Sequence, residues 1–211
     1  MRRLPVYLLI DTSGSMKGEP IEAVNAGLQT LVASLRRDPQ ALETACLSII
    51  TFDKDARVVL PLTPIEELQL PVIATPESGP TMTGAALELV CKRVDQEVRT
   101  QSADVKRDWK PLLFIMTDGA PNDIQKYKEM VPECKKRHFA AITACAAGIS
   151  AKIDMLKDLA NNIVSLETCD SATFSQFFAW VSASISSGAQ SVGATSQLVL
   201  PPPPADVNKV D

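Results

Sequence analysis

The stretch Val6-Tyr7-Leu8-Leu9-Ile10-Asp11-Thr12-Ser13-Gly14-Ser15 joins a continuous apolar run to a polar loop. Such a run is typical of a buried parallel strand, and open α/β sheets bind their ligands at the carboxyl ends of these strands. The loop therefore places one carboxylate and two hydroxyls, at alternate positions, where a ligand is expected. All three are hard oxygen donors, which suit Mg²⁺ rather than a soft metal.

Two later segments have the same character. Gly79-Pro80-Thr81-Met82-Thr83-Gly84 offers hydroxyls at the start of a helical pattern, and Leu112-Leu113-Phe114-Ile115-Met116-Thr117-Asp118-Gly119 is an apolar run that ends in an acid. Together with the D-x-S-x-S spacing of Asp11, Ser13 and Ser15, these segments resemble the three metal loops of the von Willebrand factor A (VWA) domain. In that family the loops form the metal-ion-dependent adhesion site (MIDAS).

The resemblance implies a metal site made of five residues: Asp11, Ser13, Ser15, Thr81 and Asp118. In VWA domains the two serines bind Mg²⁺ directly, the first Asp usually acts through water, and the Thr and last Asp alternate between direct and water-mediated contact. Pro80 stands where the family commonly has Gly, so Thr83 is the fallback for Thr81, although Thr83 more naturally caps the next helix. Met16-Lys17-Gly18 lacks the acidic pair of a second site, so we predict one ion, with Mn²⁺ or Ca²⁺ as substitutes.

Each motif taken alone has a simpler explanation. Asp11 and Ser13 can form a helix cap and a turn, and Asp118-Gly119 can be an ordinary turn after a strand. All three motifs occur in the order of the family, two closing apolar runs and one opening a helix. This combination favours the metal site.

The composition suits one α/β domain with a tail. The 211 residues are 45% hydrophobic, enough for a packed core. A net charge of −4 and a pI near 5.1 give no broad basic field, so no nucleic-acid partner is expected. No apolar run approaches the ~20 residues that span a bilayer. The scattered cysteines are typical of small core residues in a reducing cytoplasm: Cys46, Cys91, Cys134, Cys145 and Cys169.

Strand and helix patterns alternate along the chain. Apolar runs predict strands at 6–10, 45–52, 57–61, 112–117, 139–148 and 163–166, and helical periodicity predicts helices at 19–37, 83–101, 124–137, 153–161 and 173–186. The link Asp53-Lys54-Asp55-Ala56 is too short for a parallel crossover, so the second and third strands must form a hairpin. We therefore predict an α/β, doubly wound, mostly parallel six-stranded sheet with one antiparallel edge strand and helices on both faces, which is VWA- or Rossmann-like.

Two regions follow from these patterns. Residues 1–187 are predicted to form the VWA domain with its MIDAS. Residues 188–211 are rich in Ser, Gly and Pro, include Pro201-Pro202-Pro203-Pro204, and are predicted to form a C-terminal tail outside the core.

A finer resemblance concerns function. The stretch Leu8 to Pro20, the string Thr117 to Asp123 and the late prolines are similar to the TerY type of cytoplasmic bacterial VWA protein, which belongs to tellurium-resistance systems. This resemblance implies a Mg²⁺-dependent adaptor in tellurite and chemical-stress resistance, with a protein phosphatase and a kinase-like protein as partners. A partner would offer a Glu or Asp carboxylate to the metal.

Two other classes remain open. His138 is the only histidine and lies far in sequence from the metal loops, so a nucleophilic triad is not expected. A metal-dependent phosphoryl-transfer enzyme of the haloacid-dehalogenase type would use Asp11 as nucleophile, but Ser13 stands where those enzymes carry their second Asp. The other alternative is a structural scaffold without metal. We predict no catalytic residues and no enzyme activity.

Overall fold

The computed structural model describes residues 2–75, 79–102, 106–148, 153–168, 170–190, 201–204 and 207–210. Within these ranges one seven-stranded sheet has the order β3-β2-β1-β4-β5-β6-β7. Its strands are β1 (Leu4–Asp11), β2 (Ala45–Phe52), β3 (Ala56–Pro64), β4 (Leu112–Thr117), β5 (Ala141–Ala147), β6 (Asn162–Leu166) and β7 (Val207–Val210). The five inner strands are parallel, and β3 and β7 are antiparallel edges.

Helices cover both faces of the sheet. They are α1 (Glu19–Arg37), α2 (Pro39–Thr44), α3 (Thr83–Glu97), α4 (Ile124–Lys135), α5 (Ile153–Lys157) and α6 (Ser171–Gln190). Side chains of β1 point alternately to opposite faces. Leu8 and Ile10 lie in the core with α1 and α6, whereas Tyr7 and Leu9 lie in the core with α3 and α4. The predicted doubly wound fold is therefore confirmed.

The predicted hairpin is also confirmed, since β2 and β3 pair antiparallel and β3 forms one edge of the sheet. One short helix, α2, was not expected. The carboxylate of Asp38 accepts hydrogen bonds from the Gln40 and Ala41 amides, 2.9 and 3.3 Å away. Asp38 and Pro39 therefore start a second helix where the sequence pattern indicated only the end of the first.

The C-terminal region contributes a strand that the sequence interpretation lacked. Helix α6 extends to Gln190, and β7 pairs antiparallel with β6, with Val210 opposite Ile163. A terminal strand satisfies the backbone groups along the edge of β6, and four residues are too few for a periodic pattern to reveal it. The Trp180 indole nitrogen also donates to the Pro201 carbonyl, at 2.8 Å. Residues 191–200, 205–206 and 211 of the predicted tail lie outside the described residues.

The cysteines agree with their predicted place in the core where they are described. Cys46, Cys91, Cys134 and Cys145 are buried, and Cys169 lies outside the described residues. Across the described ranges, no helix is long and apolar enough to cross a bilayer.

Candidate metal centre

The candidate site lies at the carboxyl edge of the sheet, between β1 and β4. From β1 the chain continues outward to β2 and β3, and then returns to the other side of β1 with β4. This reversal of strand order leaves a crevice between the loops that follow β1 and β4, which is where open α/β sheets bind ligands. Asp11 ends β1, and Asp118 directly follows β4. The topology therefore brings together two carboxylates that are 107 positions apart in the sequence.

The loop after β1 turns back on itself at the first carboxylate. The Ser13 amide donates to Asp11 Oδ1 at 2.8 Å, and Gly14–Met16 form one turn of 3₁₀ helix. Met16 is fully buried and anchors this turn in the core. As a result Ser13 is buried, whereas Ser15 is exposed on the solvent side of the loop.

Three oxygen atoms of the site have the spacing of a magnesium shell. Ser13 Oγ and Ser15 Oγ are 3.2 Å apart, and the Ser15 hydroxyl donates to Asp118 Oδ1 at 2.9 Å. Neighbouring ligands of an octahedral Mg²⁺ ion, with bonds of about 2.1 Å, are about 3.0 Å apart. The donor set and its spacing thus fit a hard divalent cation. Among the described residues no three His, Cys, Asp or Glu side chains form a metal-binding group, so hydroxyls must complete any site here.

Asp11 is fully buried, and the protein orients both of its carboxylate oxygens. Oδ1 accepts from the Ser13 amide, and Oδ2 accepts from the Thr117 hydroxyl at 2.6 Å. Burial raises the pKa of Asp11 from 3.8 to about 6, although the hydrogen bonds from Thr117 and Ser13 oppose this rise and the nearby Asp118 adds to it. A buried carboxylate that is costly to ionise is a natural partner for a cation.

Thr81 lies next to the loop that carries Asp118. Its side chain is buried, and its Oγ1 atom lies 3.3 Å from the point that a Cβ on Gly119 would occupy. Thr83 is also buried, but its hydroxyl has no hydrogen-bond partner within the described structure and caps no helix. The expectation that Thr83 caps α3 is therefore wrong, because Thr83 is the first residue of the helix and Met82 occupies the cap position.

The segment that leads to Thr81 is fixed along α1. The Arg36 guanidinium donates to the Leu68 carbonyl at 2.5 Å, and the Asn25 amide exchanges two hydrogen bonds with the backbone of Ile73, at 2.8 and 2.9 Å. The Gly14 amide then donates to the Gly79 carbonyl at 3.4 Å. These contacts bring the second metal loop beside the first, and the described residues 65–75 contain no strand or helix.

Three residues of the site have roles that differ from what their place in the sequence indicates. Thr117 looked like the last residue of a strand, yet its hydroxyl fixes Asp11. Asn122 and Asp123 directly precede α4, where residues of their type commonly cap a helix, but neither side chain caps α4. The Asn122 side chain accepts from the Thr81 amide, and the Asp123 carboxylate accepts from the first turn of α3. The only sequence signal was that both directly follow the third loop.

The single histidine lies at the far end of α4. His138 is exposed in the turn after that helix, with a φ of 52°. Helix α4 begins near the candidate site and is 12 residues long, or about 18 Å. His138 is therefore too far from Asp11 and Ser13 to act as their base.

One family model matches most of the chain. A family model described as the von Willebrand factor type A domain matches residues 6–178. Among curated proteins, the uncharacterized protein sll0103 of Synechocystis is 29% identical over 131 residues, which cover 56% of this chain and 26% of that protein. The chain thus spans about a quarter of the length of this curated relative.

Solved structures share the fold. A von Willebrand factor type A protein from Catenulispora acidiphila has a TM-score of 0.67 at 16% identity, over 88% of this chain and 43% of that one. The pilus adhesin SpaC of Lactobacillus rhamnosus GG has a TM-score of 0.69 at 12% identity, over 89% and 31%. Proximal thread matrix protein 1 of the mussel byssus, described with zinc in its MIDAS motif, has a TM-score of 0.61 at 14% identity, over 86% and 48%.

Proposed function

The chain belongs to the von Willebrand factor type A domain family, whose model matches residues 6–178, and on this premise we propose that it is a non-catalytic, Mg²⁺-dependent interaction module. Five residues would hold the ion: Asp11, Ser13, Ser15, Thr81 and Asp118. The observation that carries the proposal is the hydroxyl and carboxylate spacing of 3.2 and 2.9 Å at the switch point of the sheet. When bound, the ion supplies a positive centre that can accept a carboxylate.

The burial of these residues supports docking from one side. Asp11 and Ser13 are buried, whereas Ser15 is exposed and Asp118 is partly exposed. The protein thus encloses the inner side of the site and leaves the outer side to solvent. A partner side chain can approach only from the side of Ser15 and Asp118.

The charges of the site favour an acidic partner. Both oxygens of Asp11 already accept hydrogen bonds from the protein, which suits contact with the ion through water. Asp118 is then the carboxylate placed to bind directly, beside the neutral hydroxyls of Ser13 and Ser15. One direct carboxylate leaves a divalent ion with net positive charge, so a Glu or Asp of a partner protein would be attracted.

The cellular role is the wider part of the proposal. The similarity of the Thr117 to Asp123 string to tellurium-resistance VWA proteins supports a role as a cytoplasmic adaptor in tellurite and chemical-stress resistance. The partners would be the protein phosphatase and the kinase-like protein of such a system. Metal-mediated docking of an acidic residue is the mechanism by which this chain would bind them.

Capture of partners from the native lysate tests the function. The tagged protein is used in Mg²⁺ and again in EDTA, beside Asp11→Ala and Asp118→Ala. Asp158→Ala is the matched control, because it removes an exposed acid between α5 and β6, outside the three metal loops. We expect one set of partners that is held in Mg²⁺, released by EDTA, lost with both site variants and kept by the control. Partners that stay bound in EDTA and are also kept by both site variants would overturn the proposal.

A further inference from the structure

We propose that Asn122 and Asp123 are positioning residues that clamp the second metal loop to the third and thereby fix the Thr81 hydroxyl in the site. This inference rests on the proposed function, because it concerns the same metal centre. The pair is called the loop clamp below. It consists of two consecutive side chains that precede α4 but bind the segment 81–85.

Asn122 forms the first half of the loop clamp. Its side-chain Oδ1 atom accepts from the Thr81 backbone amide at 2.6 Å, and its backbone amide donates to the Thr81 carbonyl at 2.9 Å. Both backbone polar groups of Thr81 are therefore held by one residue. The position of the Thr81 side chain depends on this pair of hydrogen bonds.

Asp123 forms the second half and caps a helix other than its own. Its two carboxylate oxygens accept from the amides of Gly84 and Ala85, at 3.0 and 2.9 Å. Helix α3 has no cap from Met82 and no acidic residue in its first turn. The carboxylate of Asp123 thus supplies the charge and the acceptors that the start of α3 lacks.

The close approach of the two helix starts confirms that they form one unit. A Cβ on Gly84 would lie 2.5 Å from the Tyr127 backbone nitrogen and 2.8 Å from Asp123 Oδ2. Only glycine fits at this contact, since a backbone atom cannot move aside as a flexible side chain can. The first turns of α3 and α4 are therefore locked together at the metal edge.

The clamp has a consequence for the metal ligands. Asp118 and the loop clamp lie within six residues of one another, in the loop between β4 and α4. A displacement of this loop that moves Asp118 must also move or break the hydrogen bonds to Thr81. The ligands of the second and third loops should therefore act as a pair, whereas Ser13 and Ser15 belong to a separate loop.

Amide hydrogen exchange, measured by NMR in EDTA, tests the clamp without metal. We expect Asn122→Ala to speed exchange of the Thr81 amide about tenfold, and Asp123→Ala to do the same at Gly84 and Ala85. Asn122→Asp keeps the acceptor oxygen and should restore protection of Thr81. Gln125→Ala is the matched control, because its side chain donates to Glu129 on its own helix. Unchanged exchange in the two alanine variants would overturn the clamp.

A double-mutant cycle with Mn²⁺, followed by the EPR signal of the free ion, tests the positioning role. Asn122→Ala should weaken Mn²⁺ binding about tenfold, but by less than twofold when Thr81 is already Ala. A tenfold loss in both backgrounds would mean that Asn122 does not act through Thr81. If the wild type binds Mn²⁺ and Asn122→Ala binds it equally well, the positioning role fails alone. If the wild type binds no Mn²⁺, the proposed function fails, and the positioning role, which depends on the metal site, fails as well.

Discussion

The substitution Asp11→Asn should stabilise the protein when no metal is bound. Burial raises the pKa of this carboxyl from 3.8 to about 6, so the folded protein holds the proton more tightly than the unfolded chain does. A difference of this size corresponds to about 3 kcal/mol at pH values where both states are ionised. Ionising Asp11 therefore destabilises the metal-free folded state, and a neutral amide of the same shape would not have this cost.

The sign of the pH dependence follows from the raised pKa. Below about pH 4 the carboxyl is protonated in both states and the penalty is absent. As the pH rises through 6, the folded state must ionise Asp11 and loses stability relative to the unfolded chain. We expect Asp11→Asn to raise the free energy of unfolding by between about 1 and 3 kcal/mol at pH 7.5. The gain is not always the full value of about 3 kcal/mol, because the Asn side-chain amide must also take the place of the carboxylate in the hydrogen bonds with Ser13 and Thr117. The gain should shrink toward pH 4.

Urea unfolding in EDTA at several pH values measures this gain. Asp118→Asn is the matched control, since this carboxylate is partly exposed and should change the free energy of unfolding by less than about 0.5 kcal/mol. In excess Mg²⁺ the order should reverse, because only the wild type is stabilised by binding. An Asp11→Asn protein that is less stable than the wild type in EDTA at pH 7.5, or a gain in stability independent of pH, would contradict an ionisation penalty at Asp11.

Three further predictions concern metal binding and packing. The rise in Tm that Mg²⁺ produces should be present at pH 7.5 and largely absent at pH 5, because Asp11 is protonated at the lower pH. An equal rise in Tm at both pH values, measured by thermal unfolding, would contradict a role for this carboxylate. Gly27→Ala should lower the free energy of unfolding, measured in urea, by about 1–3 kcal/mol, because the new Cβ would lie 2.1 Å from Phe178 Cδ2. Unchanged stability would mean that α1 and α6 can move apart at this contact without cost. Trp180→Phe should lower it by about 1 kcal/mol, because the hydrogen bond to Pro201 is lost, and equal stability of the two proteins would show that this contact contributes little.

The sequence alone was sufficient for six of the seven strands and five of the six α-helices that the described residues form, in their order along the chain. The apolar runs that end at Asp11 and Thr117 predicted two buried strands, and the short link after Phe52 required the β2–β3 hairpin. These inferences succeed because the burial of a whole strand and the length of a connection are local properties. The neighbouring positions of β1 and β4 are not local, and the resemblance to the VWA fold supplied them.

The roles of residues near the site were harder to predict. Asn122 and Asp123 stand directly before α4, so their place in the sequence assigns them to the start of that helix, yet Asn122 binds Thr81 and Asp123 binds the first turn of α3. Thr83 has the residue type of a cap but is a buried first residue of α3. In each case the choice depends on which distant backbone group lies nearby, and periodicity contains no information about that.

The most direct test of the metal centre is an anomalous diffraction map of crystals grown with Mn²⁺, collected at the manganese edge. We predict a single peak within about 2.2 Å of the hydroxyl oxygens of Ser13 and Ser15, with a carboxylate oxygen of Asp118 close by. The peak should vanish in Asp118→Ala crystals grown under the same conditions. A peak at another place, or none at a saturating Mn²⁺ concentration, would contradict the claim that this edge of the sheet holds a metal ion.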